Sequence, residues 1–230
     1  MKGGPEGNER LTSSTGILLA VLTAVETLTA LALRRFLDVH LFLGLLLLPP
    51  VGLKLASTGW RFVRYYTGNA EYRRAGPPQP FLRMLAPALV ASTLVLFGTG
   101  VAMVAQGHGH GLLGQLHTLS FIAFGVLLSI HVLAYLTRVV REGTADWRRH
   151  AAAGAPTRRG LLVGSLLAGA IVALATYSTQ QSFLSHRHHD DRKDARRSAS
   201  SASSRFAPRG SVPNGVVMTR PFSAAQVPAT

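Results

Sequence analysis

Leu116-His117-Thr118-Leu119-Ser120-Phe121-Ile122-Ala123-Phe124-Gly125-Val126-Leu127-Leu128-Ser129-Ile130-His131-Val132-Leu133-Ala134-Tyr135-Leu136-Thr137 contains no Asp, Glu, Lys or Arg. A helix needs about 20 residues to cross a hydrocarbon core, and this stretch has that length. Lipid offers no partner to a backbone amide, so the segment must satisfy its own hydrogen bonds as a helix. Four further stretches have the same character, at about 15–33, 39–58, 85–105 and 160–177. Between them lies turn chemistry, Gly76-Pro77-Pro78-Gln79-Pro80 and Gly107-His108-Gly109-His110-Gly111. The expected fold is an all-α integral membrane bundle of about five transmembrane helices. Pro49-Pro50, inside the second stretch, predicts a kink because proline lacks the amide proton. No internal repeat is evident.

Composition agrees. Of 230 residues, 47% are apolar and only 15% charged, with 24 Lys plus Arg against 10 Asp plus Glu, a net charge of +14. There is no cysteine, which excludes disulfides, thiolate metal sites, iron–sulfur clusters and a cysteine nucleophile. The sequence has no phosphate loop, nucleophile elbow or zinc-protease motif. Ala30-Leu31-Ala32 has the small-x-small pattern of a signal-peptide cleavage site, but Glu26 interrupts the apolar run and the run is longer than a signal needs. The first span is therefore read as retained.

Charge sets the expected orientation. Arg61, Arg64, Arg73, Arg74 and Arg83 follow the second span, and Arg138, Arg141, Arg148, Arg149, Arg158 and Arg159 follow the fourth. The third-to-fourth connection has no Lys or Arg. The positive-inside rule puts the basic loops and residues 1–14 in the cytoplasm and the C-terminus outside. Trp60, Tyr65 and Tyr66 then make an aromatic anchor at the inner interface. Thr157-Arg158-Arg159-Gly160-Leu161-Leu162 reads either as a twin-arginine export signal or as two basic residues before a last helix. Residues 178–230, rich in Ser, Ala, Arg and Pro, are expected to be a disordered basic tail. Their charge suits anionic headgroups, and the lack of interleaved aromatics argues against nucleic acid.

Ionisable groups inside a span are costly and are functional candidates by default. Five occur: Glu26, His40, Lys54, His117 and His131. His117 and His131, fourteen residues apart on one helix, share a face with Phe121, Phe124, Gly125 and Leu128, about 21 Å apart along the axis. The second span runs parallel, with His40 at the depth of His117 and Lys54 at the depth of His131. Gly44, one turn from His40, leaves room for a flat ring.

Facing histidines at matched depth resemble the membrane cytochromes b, including the small bacterial subunits that serve hydrogenases and formate dehydrogenases. The resemblance covers about residues 40–135. Leu116-His117-Thr118-Leu119-Ser120-Phe121, Ile130-His131-Val132-Leu133-Ala134-Tyr135 and Arg61-Phe62-Val63-Arg64-Tyr65-Tyr66-Thr67-Gly68 look like those of actinobacterial members. The resemblance implies a four-helix haem core plus one extra span in a bacterial plasma membrane. It also implies electron transfer within an oxidoreductase complex, with a quinone or an extracytoplasmic redox protein as partner. Two neutral imidazoles make a low-spin, six-coordinate haem iron, and His40 with His117 are the expected pair. The departure is Lys54, where a di-haem member carries histidine, so one haem b is expected, with a second possible. His131 is read as a ligand to a second haem with an unusual partner, or as a polar helix contact. Arg34 and Arg35 are expected to pair with haem propionates, and Lys54 to snorkel to the interface. Glu26 is read as a proton relay or as an inter-helix hydrogen bond in its neutral form. His108 and His110, and His186, His188 and His189 in the tail, are weak metal candidates set against flexible-loop and solvated-tail readings. A haem-free membrane anchor for a partner enzyme is the alternative, and a small transporter a weaker third.

Overall fold

The computed structural model describes residues 4–76, 80–109, 111–143 and 154–206. His110, Arg148, Arg149 and the last part of the tail lie outside the described residues. Seven helices are described: α1 (Gly4–Leu31), α2 (Leu33–Tyr66), α3 (Ala70–Arg74), α4 (Pro80–Gln106), α5 (Leu112–Gly143), α6 (Ala155–Ala175) and α7 (Tyr177–Phe206). Five of them, α1, α2, α4, α5 and α6, are long and apolar enough to cross a membrane. Many of their large apolar side chains point outward, including Leu28, Leu94, Leu119, Leu133, Leu167 and Ile171. A surface of that kind is costly in water and natural in lipid. The protein is an all-helical, multi-pass membrane bundle.

Residues 4–188 form one compact unit. Within it α1 packs on α2 and α5, α5 packs on α4, and α4 meets α2 sparsely, closing a ring of four helices. The two helices that carry the histidines, α2 and α5, sit diagonally across this ring. The fifth span, α6, packs on the outside of α2. Pro50 explains how closely. It has no amide proton to give the carbonyl of Leu46, four residues earlier. Gly169 of α6 is seated against that freed carbonyl, so near that a Cβ at position 169 would collide with the oxygen. A Cα–H facing a carbonyl is a weak but recurrent contact at helix interfaces.

The expected kink lies elsewhere. The backbone of α2 is helical through Pro49-Pro50, and the non-helical dihedrals fall at Phe36 (φ −124°, ψ 28°), just after the turn from α1. The first helix also begins earlier than an apolar count suggests. The polar start of α1 packs on α2: Asn8 donates to the Ser57 carbonyl (3.1 Å) and Thr12 to the Ser57 hydroxyl (3.0 Å). These bonds offset part of the cost of burial, while Asn8 Oδ1 is left buried without a hydrogen-bond partner. The tail expectation changes too. Residues 177–206 contain neither Gly nor Pro, and they continue as a helix that ends just before Pro208 and Gly210.

Candidate functional site at the bundle centre

The ring of helices encloses a cavity of about 530 Å³, within the ~300–1,000 Å³ typical of cofactor pockets. All five ionisable residues of the spans line it: Glu26, His40, Lys54, His117 and His131. Most of the remaining lining is apolar, with Phe97, Phe121 and Phe124 among it.

His40 and His117 meet across this space, their ring centroids 6.4 Å apart and their planes 84° to each other. Each ring is held through Nδ1. The His40 Nδ1–H donates to Glu26 Oε1 at 2.9 Å, with the two side chains 19% and 14% exposed. The other Glu26 oxygen accepts from the Thr29 hydroxyl at 3.2 Å. On the opposite side, His117 Nδ1 lies 3.1 Å from the Leu96 carbonyl and 3.1 Å from Thr99 Oγ1. The Thr99 hydroxyl proton is itself committed to the carbonyls of Val95 and Leu96, so its oxygen accepts. A carboxylate and a carbonyl only accept, so each Nδ1 is placed to donate, and a neutral ring held in this way has its lone pair on Nε2. Fixing Nδ1 on a carboxylate or a carbonyl is the usual way a protein orients a metal-ligating histidine.

Glycines make this packing possible. A Cβ at Gly44 would lie 3.3 Å from Glu26 Oε1, and one at Gly100 would lie 3.1 Å from His117 Cε1. Gly44 thus makes room for the carboxylate that holds His40, as well as lining the cavity. Towards the other end, the Lys54 ammonium donates to the Thr12 carbonyl at 2.7 Å. Gly16 leaves it space. Lys54 therefore turns inward to α1 and does not snorkel along the lipid face. His131 is within electrostatic reach of Lys54 and belongs to this end of the cavity.

Arg34 and Arg35 are exposed and do not line the cavity; Arg35 lies over the Phe36 ring at 5.5 Å. The arginine that does line it among the described residues is Arg187 of α7, with Phe183 one turn before it. Nothing in the sequence singles these two out, because they lie past the last apolar run. His108 bonds the Gln106 carbonyl and His186 the Ser182 carbonyl, both at exposed sites. Among the described residues no group of three or more His, Cys, Asp or Glu side chains is placed to hold a bare metal ion.

The 6.4 Å between the centroids is of the size two imidazoles would span with one metal between them, each bond being about 2.0–2.1 Å. A porphyrin supplies its own four nitrogen ligands, so two protein ligands are enough. No protein-family model, curated protein or solved structure matches this chain.

Proposed function

We propose that this chain is a membrane electron-transfer protein, a b-type cytochrome that holds one haem between His40 and His117. The observation that carries the reading is the 6.4 Å centroid separation of two imidazoles, each with Nδ1 committed, across a largely apolar cavity. Haem bound by two imidazoles supplies reversible one-electron transfer with no coordination position open to oxygen.

The chain does the rest. The diagonal helices α2 and α5 would hold the haem from its two sides. Glu26, accepting from Nδ1–H, makes the His40 ring a stronger donor and keeps it from rotating. Leu96 and Thr99 do the same for His117 with neutral acceptors, so the two ligands are unequal. The apolar lining would limit water around a bound haem and so help set its potential. At the far end Lys54 is bonded to the Thr12 carbonyl, and among the described residues no second histidine lines that end with His131. That favours one haem over two.

In this reading the chain is a subunit of an oxidoreductase complex in a bacterial plasma membrane. Its electrons pass to or from a quinone or an extracytoplasmic redox protein, and its N-terminus is cytoplasmic. The purified protein should show a reducible Soret band with split α and β bands and bind about one haem per chain. A colourless protein that copurifies with a partner enzyme would instead favour a haem-free anchor.

A further inference from the structure

The first turns of α7 close the His117 end of the bundle. Gln180 is 2% exposed and its amide donates to the Ala173 carbonyl of α6 at 2.7 Å. Phe183 is 3% exposed, its ring against Gly109 in the α4–α5 connection, where a Cβ would come within 3.3 Å. Gln180, Phe183, Leu184 and Arg187 fall at the i, i+3, i+4, i+7 spacing of one helix face. The opposite face, with Gln181, Ser182, Ser185 and His186, is exposed. An amphipathic helix is thus laid over the end of the cavity nearest His117, and it brings one cation into the lining, the half-buried Arg187.

We propose that Arg187 is the carboxylate-binding residue of this cavity and pairs with the propionates of the haem. The inference rests on the cytochrome reading above and adds the group that recognises the ligand's acidic edge. A porphyrin is apolar over its face and anionic along one edge. A cavity that buries the face must leave the carboxylates in water or give them a cation. Glu26 and His40 satisfy each other, and Lys54 lies at the other end on Thr12. Arg34 and Arg35 stand outside the lining. Arg187 remains, and its guanidinium fork is suited to a carboxylate. The first turns of α7 are then both a cover and part of the binding site.

The experiment is a Soret titration of the haem-stripped full chain in detergent, with haem and with its dimethyl ester. The wild type should bind the free acid at least about tenfold more tightly than the ester, the effect of one charge-assisted pair. Arg187→Gln should bind both ligands with the affinity that the wild type has for the ester, and Arg187→Lys should keep much of the preference. An undiminished acid preference in Arg187→Gln would overturn the proposal. So would an equal loss of acid and ester binding in that variant, which would mark a purely structural role. If the wild type forms no low-spin complex with either ligand, the cytochrome reading itself fails and takes this inference with it.

Discussion

Under the proposed function, Glu26 is the residue expected to tune a haem held by His40. Its carboxylate sits 2.9 Å from His40 Nδ1, in a place that Gly44 leaves open. A negative acceptor strengthens electron donation by the ligating nitrogen and so favours the oxidised iron. Glu26→Gln keeps the shape and a hydrogen-bond acceptor while removing the charge. It should raise the midpoint potential, by something on the order of tens of millivolts, in a potentiometric titration that leaves the low-spin spectrum in place. An unchanged or lowered potential would show that the carboxylate does not act through His40. The proximity of His40 to His117 was legible in the sequence, because depth along parallel helices follows from residue spacing alone. The Glu26–His40 bond was not. It depends on how far α1 is rotated about its axis, and an apolar helix carries no periodicity to fix that rotation. The acceptors of His117 were hidden for a related reason: a backbone carbonyl such as that of Leu96 has no sequence signature.

At the scale of elements, the contact between α2 and α6 is where backbone chemistry decides the packing. Pro50 withdraws a hydrogen bond from the Leu46 carbonyl, and Gly169 lets α6 approach it. Gly169→Ala should destabilise the bundle by about 1–3 kcal/mol, the range for overfilling a close-packed contact. Gly164→Ala, at a position where an added Cβ meets nothing within 4 Å, should be neutral or slightly stabilising through helix propensity. Unfolding of both variants in mixed micelles distinguishes these outcomes, and equal effects would contradict the assigned contact. The five spans were readable because lipid forces long uninterrupted apolar runs. The helix of residues 177–206 was not, since a polar, Ser- and Arg-rich composition resembles a disordered segment. What the composition concealed is the absence of helix breakers and the short apolar face of Gln180, Phe183 and Leu184 that anchors its start.

For the whole molecule, His40 and His117 are expected to lie near one membrane surface and the basic loops at the other. Reporter fusions after Tyr66 and after Arg149 should report cytoplasm, and a fusion after Gly111 should report the outside. Gly111 on the cytoplasmic side would invert the proposed topology. The proposed function narrows to one cavity, in which two diagonal helices would hold one haem through His40 and His117. The most direct measurement is the optical spectrum of three single variants in the same membrane preparation. His40→Ala and His117→Ala should each abolish the low-spin spectrum or convert it to high spin, whereas His131→Ala should leave it largely intact, because His131 belongs to the Lys54 end of the cavity. A normal low-spin spectrum in His117→Ala, with haem lost in His131→Ala, would contradict the account.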